Sequence, residues 1–140
     1  MIYQFVKFAF QISNKKLFSY TSNDYQVFYQ KLIDSQFFKY AVFYFTTYQW
    51  NNFYQNMFFK MISDIIFNKE KNCYVLLEHV FLDLKLLQLM IQSPQTESFS
   101  FDSGYKINNS CVSFYCEIAC LIQTNQKVNS NVIQLIKDSN

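Results

Sequence analysis

The sequence predicts a mainly β fold, a small β-barrel with flanking helices, and two observations support it. The segment Cys111–Gln123 places apolar side chains at every second position, which is the period of a strand with one buried face. Upstream, three runs rich in aromatic and β-branched residues are separated by short polar breaks, which is typical of an antiparallel meander. These runs are Tyr40–Tyr48, Asn56–Phe67 and Cys73–Phe81.

The composition supports one folded domain. Of the 140 residues, 51% are hydrophobic and 21% are aromatic, which is enough apolar surface for one core. The chain has one Gly and one Pro, and all 12 basic residues are Lys. A formal net charge of +2 is small for a protein that neutralises phosphates, so a nucleic-acid contact would depend on aromatic stacking and a few lysines.

We divide the predicted single domain, residues 1–140, into three parts. Residues 1–35 form an N-terminal extension, residues 36–123 form the barrel, and residues 124–140 form a polar turn and a last helix. No internal repeat or linker interrupts this order.

Several further elements complete the prediction. The extension contains a strand over Met1–Ile12 and a short amphipathic helix after the N-cap signal at Ser22. Within the barrel, Leu-rich spacing predicts a helix over Leu82–Met90, which ends before Pro94. Ser98–Ile107 is a weaker candidate for a strand or hairpin.

The last helix, Asn131–Lys137 with Ser130 as its N-cap, is the predicted partner-binding element. A helix of about two turns is marginal alone, so it must dock on this domain or on another chain. We interpret its apolar stripe as the partner contact, and docking on its own domain is the alternative. The stripe comprises Val128, Val132, Ile133 and Ile136.

The sequence predicts no catalytic residue, metal site or cofactor, and therefore a non-enzymatic protein. The only histidine, His79, lies in a predicted strand and is interpreted as half-buried and structural. Cys116 and Cys120 would stand about 13 Å apart along a strand, so they and Cys111 are interpreted as small core residues. The longest apolar stretch, Cys73–Ile91, is interrupted by charged residues, so no membrane span is predicted.

An aromatic segment in the first half of the barrel is the candidate nucleic-acid contact. The candidate residues could form a stacking surface for single-stranded DNA, and they are Tyr44, Tyr48, Trp50 and Tyr54 with Lys39 and Lys60. A core strand with ordinary surface tyrosines is the alternative interpretation.

The order of the predicted elements is that of an OB-fold, a partly open β-barrel. Over residues 37–140 the chain resembles the smallest subunit of the CST telomere complex, the Ten-one family, which is similar to the small subunit of replication protein A. The resemblance is best where the strand Val112–Ile122 leads into the helix Val132–Ile136. Scarce Gly and Ala with abundant Asn, Lys and Gln are typical of an AT-biased gene from a ciliate-type lineage.

The resemblance implies a non-catalytic subunit of a telomerase-associated complex in the nucleus, at telomeres. Its partner would be a larger OB-fold protein of the Stn type, bound through the last helix. Contact with telomeric single-stranded DNA would be weak or indirect, and no cofactor or membrane is involved.

Two other interpretations stay open at this point. One is an accessory subunit of a large mitochondrial assembly, where aromatic-rich, Gly-poor chains are common. The other is an all-helical interaction protein that resembles viral Bcl-2 proteins, with residues 22–34, 53–67 and 73–91 in helices. The alternation over residues 111–123 argues against the helical interpretation.

Overall fold

Seven α-helices make up most of the chain that the computed structural model describes, which comprises residues 22–48, 50–92, 99–100, 106–107 and 111–139. The helices are α1 (Ser22–Asp34), α2 (Phe37–Thr47), α3 (Asn52–Phe67), α4 (Tyr74–Glu78), α5 (Leu86–Gln92), α6 (Cys111–Asn125) and α7 (Ser130–Asp138).

Three shorter kinds of element connect these helices. A 3₁₀ turn, Lys71–Cys73, leads into α4, and a π-helical turn, His79–Asp83, follows it. Two strands of two residues each, β1 (Phe99–Ser100) and β2 (Lys106–Ile107), pair in an antiparallel manner between α5 and α6. They lie within the segment for which a strand or hairpin was predicted.

The predicted OB-type barrel over residues 36–123 is wrong, because its strands are helices. On α6, which was predicted as the clearest strand, the buried apolar residues are Cys111, Tyr115 and Ile118, with the i, i+4, i+7 spacing of a helix. Cys116 and Cys120, predicted to be core residues, are exposed. The segment is apolar at so many positions that both periods fit it, and packing selects the helix.

The predicted meander is likewise a set of helices, and its polar breaks are helix ends. The side chain of Asn51 caps α3 by accepting a hydrogen bond from the Tyr54 N–H at 3.0 Å. Along α3, Phe58, Ile62 and Ile65 are fully buried at helical spacing. The break before Cys73 ends α3 and contains the 3₁₀ turn.

All seven helices contribute to the core, and its central aromatic contacts lie where α2 and α3 pack against α6. The Phe45 ring stacks on Phe58, with centroids 4.3 Å apart, and meets the Tyr115 ring edge-on at 5.5 Å. The Cys111 thiol contacts the Phe45 carbonyl at 3.5 Å. These contacts fix the inner face of α2, and so they also fix which of its residues face outward.

The helix predicted over Leu82–Met90 begins later than expected. The Leu84 N–H donates to the His79 carbonyl at 2.9 Å, which closes a π-type turn, and Lys85 then adopts a left-handed conformation with φ of 59°. That conformation costs a non-glycine residue about 1–2 kcal/mol. The burial of Leu86 in the core offsets this cost, and α5 starts there.

The flanking helices are confirmed as α1 and α7, while the strand predicted over Met1–Ile12 lies outside the described residues. The N-cap of α7 is Asn129 and not Ser130, since the Asn129 side chain accepts from the Asn131 N–H at 3.0 Å. Val132 and Leu135 are buried, so α7 docks on its own domain.

A buried asparagine network fastens α7 to the segment that follows α3. The Asn129 side-chain amide donates to the Ile66 carbonyl at 2.7 Å, and the Asn131 amide donates to the Glu70 carbonyl at 2.9 Å. Both amides also approach the Asn68 carbonyl at 3.3 Å. Backbone carbonyls left open by the end of α3 thereby gain partners from the start of α7.

Candidate protein-interaction surface

Six exposed aromatic side chains gather on α2, on the turn that follows it and at the start of α3. Trp50 keeps 59% of its surface exposed and Phe53 keeps 77%, although both are large apolar groups. We call this surface the aromatic corner. It comprises Tyr40, Phe43, Tyr44, Tyr48, Trp50 and Phe53.

Helix α2 creates the aromatic corner because it is apolar on both faces. Phe38, Ala41, Val42 and Phe45 point into the core. The opposite face carries Tyr40, Phe43 and Tyr44, at the i, i+3, i+4 spacing of one helical stripe. A surface helix normally covers that face with polar side chains, and a helix that is hydrophobic all round is normally buried on all sides.

The polar residues of α2 do little to change this character. The Thr46 hydroxyl turns back onto the helix and donates to the Phe43 carbonyl at 2.9 Å. Lys39 and Thr47 are the other polar residues of the helix. The outer face of α2 therefore presents aromatic rings and one ammonium group to the surroundings.

The rings of the corner hold one another in place. Tyr44 and Tyr48 lie one turn apart and stack with centroids 5.8 Å apart and an interplanar angle of 26°. Phe43 meets Tyr44 edge-on at 5.5 Å. Beneath them, the Tyr54 hydroxyl donates to the Ala41 carbonyl at 3.1 Å, which links α3 to α2. These contacts position Phe43, Tyr44 and Tyr48 within the corner.

The turn between α2 and α3 forms a shallow depression within the corner. Tyr48 and Trp50 line it together with Thr47, Asn51 and Asn52. The Asn51 N–H donates to the Tyr48 carbonyl at 3.0 Å, so the turn is closed by backbone hydrogen bonds. A partner residue could enter between two aromatic walls, with amide groups at the rim.

Lysines are the charged groups of this region. Between Ser35 and Ser63 the charged residues are Lys39 and Lys60, and both are exposed. Burial, and next the nearby Tyr44, raise the pKa of Tyr54 to about 12, so its hydroxyl stays neutral and keeps its hydrogen bond. Beyond the corner, burial raises the pKa of Asp64, and the charge of Lys60 opposes that shift.

The structure brings together most of the residues that were predicted to stack on single-stranded DNA. Tyr44, Tyr48 and Trp50 are neighbours in the aromatic corner. Lys60 lies on α3, two turns after Phe53 on the same face. The prediction missed Tyr40, Phe43 and Phe53, although the helical spacing of the first two with Tyr44 was a signal for them.

The residues predicted to bind a partner through the last helix are divided between two environments. Val132 is fully buried and Ile136 is partly buried, so they belong to the docking of α7. Val128 and Ile133 are exposed. A partner role for these residues stays a prediction, and it is limited to the exposed pair while α7 is docked.

His79 has a local structural environment. Its Nδ1 lies 3.1 Å from a carboxylate oxygen of Asp83, and its ring meets the ring of Phe38 edge-on at 6.4 Å. Among the residues that the structure describes, no group of three or more His, Cys, Asp or Glu side chains is arranged to hold a metal ion. In the same part of the chain, no helix combines the length and the apolar character that crossing a membrane requires.

The part of the chain that the structure describes is therefore a helical domain with an exposed aromatic surface. Comparison with known families identifies it further. The family model described as "SAPS: SIT4 phosphatase-associated protein" matches residues 11–139, and the chain belongs to this family. No curated protein and no solved structure matches the chain.

The family overturns the predicted telomeric role. The chain is not a Ten-one-like subunit. The SAPS match also contradicts the predicted partners, which were a larger Stn-type protein and telomeric single-stranded DNA. The all-helical alternative agrees with the fold class, but its likeness to viral Bcl-2 proteins has no support in the family found. The nuclear location, with the mitochondrion as its alternative, stays a prediction.

Proposed function

We propose that this chain is a non-catalytic subunit that associates with a phosphatase of the SIT4 type, and that the aromatic corner is its contact. The observation that carries this proposal is the SAPS family model, which matches nearly the whole chain, residues 11–139, and is described as SIT4 phosphatase-associated protein. The phosphatase would supply the chemistry, and this chain would supply a binding surface.

The composition of the aromatic corner supports its role as the contact. Tyr and Trp are the residues that most often dominate the energy of a protein interface, because they bury a large area at low conformational cost. The corner offers both types around one depression. Apolar patches of this kind on a soluble domain usually mark an interaction site.

The test is binding of the purified chain to a purified SIT4-type catalytic subunit, measured by calorimetry. The variant Tyr48→Ala/Trp50→Ala should weaken binding by at least about tenfold, since hot-spot aromatics at an interface contribute about 2 kcal/mol or more. Both side chains are exposed, so the fold should be retained. Far-UV circular dichroism and a denaturation curve check that it is.

Phe67→Ala is the matched control for this experiment. Phe67 is also an exposed aromatic residue on α3, with 52% of its surface accessible, but it lies at the far end of that helix from Phe53. It should leave affinity unchanged. Equal loss of affinity in both variants, or full affinity in the double variant, would remove the aromatic corner as the contact. Absence of binding by the wild-type chain would contradict the association itself.

A further inference from the structure

The charge around the aromatic corner indicates what kind of segment it accepts. We infer that its occupant is an acidic protein segment with apolar anchor side chains, and not a second copy of this chain. The inference rests on the proposed function only in using the same surface. It adds the chemical class of the segment that binds there.

Two lysines lie beside the aromatic corner, one on each of its helices. Lys39 precedes Phe43 by four positions on α2, so the two side chains share one face. Lys60 follows Phe53 by seven positions on α3 and lies about 10 Å further along the same face. The lysines therefore flank the aromatic rings from both helices.

Carboxylates are scarce across this part of the chain. No Asp or Glu occurs from Ser35 to Ser63. Asp64, one turn beyond Lys60, is half-buried and lies on the same face as Phe53 and Lys60, so it offsets part of the charge of Lys60. An occupant that covers the rings would therefore place its rim opposite ammonium groups, and carboxylates at that rim would complement them.

The lysines disfavour self-association through the aromatic corner. Two copies that met through the aromatic corner would bring two pairs of lysines together, and the nearest carboxylates on the same helices would be the Asp64 side chains beyond Lys60. Like charges at a shared interface are unfavourable and suppress that pairing. The apolar rings alone favour a dimer, but the charges favour a different partner that carries acidic residues.

An acidic protein segment suits the aromatic corner better than a nucleic-acid strand does. Two lysines can neutralise only a few phosphates, whereas binding of a single strand depends on a basic groove along its backbone. The apolar rings Phe43 and Phe53 at the corner suit aliphatic or aromatic anchors of a peptide. A protein segment is therefore the occupant to which we commit.

The single tryptophan makes this inference directly measurable. Trp50 is the only Trp in the chain, and it lies in the corner. The probe is a synthetic amphipathic peptide with Leu and Phe at helical spacing and Glu at the other positions. Its titration should shift the Trp50 emission to shorter wavelength with saturation, because binding removes the indole from water.

Charge preference is the decisive readout. At low ionic strength the Glu peptide should bind on the order of tenfold more tightly than the same peptide with Lys in place of Glu, and added salt should reduce the difference. The variant Lys39→Glu/Lys60→Glu should reverse the preference. Lys127→Glu, an exposed lysine on the turn before α7, should leave it unchanged.

Three results would overturn the inference. They are equal binding of the two peptides, tighter binding of a thymidine oligonucleotide than of the Glu peptide, or a dimer in light scattering that Trp50→Ala abolishes. The proposed function fails separately. If Lys39→Glu/Lys60→Glu leaves phosphatase binding unchanged, the acidic segment is ruled out and the association with the phosphatase stands. If the Glu peptide binds but the phosphatase does not, the acidic segment stands and the association is ruled out.

Discussion

Helices α2 and α7 both carry an apolar stripe, but α2 keeps much more apolar surface exposed after folding, since Ile133 is the one exposed large apolar residue of α7. On α7, Val132 and Leu135 enter the core, and polar residues such as Gln134 and Lys137 face outward. On α2 the core face is full and the outer face is aromatic as well. An apolar stripe alone is therefore weak evidence for a partner, because most stripes are used within the domain.

The two helices also differ in how they are held. Aromatic packing around Phe45 holds α2, while α7 is held by two buried apolar side chains together with the amides of Asn129 and Asn131. Removal of an aromatic ring that packs α2 onto the core should therefore lower the free energy of unfolding more than any single substitution at α7.

The largest effect is expected from Phe45→Ala. Phe45 is completely buried between Phe58 and Tyr115, and loss of such a ring leaves a cavity that lowers the free energy of unfolding by about 3–5 kcal/mol. Phe43→Ala, on the outer face of the same helix, should change it by no more than about 0.5 kcal/mol. Urea denaturation followed by circular dichroism measures both. Similar losses would show that the outer face of α2 is also buried.

A smaller loss is expected when the seat of α7 is changed. Leu135→Ala removes a fully buried side chain and should cost about 2–3 kcal/mol, the lower part of the range for Leu→Ala, since a short helix can settle into the space. Ile133→Ala, two positions earlier and exposed, is the control and should have little effect. If Ile133→Ala lowers the free energy of unfolding in urea more than Leu135→Ala does, α7 does not dock as the structure shows.

The comparison of the two helices also shows what could be predicted from the sequence. The last helix was predicted over Asn131–Lys137 and is observed over Ser130–Asp138. The two ranges agree closely because apolar and polar positions in this segment separate at a period of 3.6. Helix α2 has no such separation. Its Phe, Tyr and Val content is typical of strands, and tertiary packing overrides that weak preference.

The same ambiguity between the strand period and the helix period explains why only part of the aromatic corner was predicted. In a strand, Tyr40 and Tyr44 would share a face while Phe43 pointed to the other side. In a helix, Tyr40, Phe43 and Tyr44 share one face. Aromatic density therefore identified Tyr44, Tyr48 and Trp50, but a strand period gives no reason to group Phe43 with them. The assignment of α6 failed similarly, since its apolar residues satisfy both periods.

The next prediction concerns the cap of α7. Asn129→Ala removes the N-cap and leaves the buried carbonyls of Ile66 and Asn68 without this donor, which should cost about 1–3 kcal/mol. Ser130→Ala is the matched control, because Ser130 is exposed and its side chain was predicted to cap the helix. A larger loss of thermal or urea stability in Ser130→Ala than in Asn129→Ala would restore Ser130 as the cap.

The smallest effect is expected at the end of α7 and depends on pH. The Tyr74 hydroxyl donates to the carboxylate of Asp138, and this bond, with a second from Gln134 at 2.8 Å, lowers the pKa of Asp138 in the folded state. A lowered folded-state pKa stabilises the fold above the unfolded pKa, about 3.9, and the contribution is lost as the pH falls through the folded value.

Tyr74→Phe should therefore reduce stability slightly near neutral pH, and the difference from wild type should shrink below about pH 4, where the unfolded carboxyl is already protonated. Urea denaturation between pH 3 and pH 7 follows the difference, and Tyr40→Phe, an exposed tyrosine of α2, should show none. A difference that grows on acidification has the opposite sign, and it would mean that Asp138 is not the group that Tyr74 stabilises. Because Asp138 is exposed, the contact can adjust the docking of α7 but cannot account for it, and the buried asparagine amides and Leu135 supply the larger share.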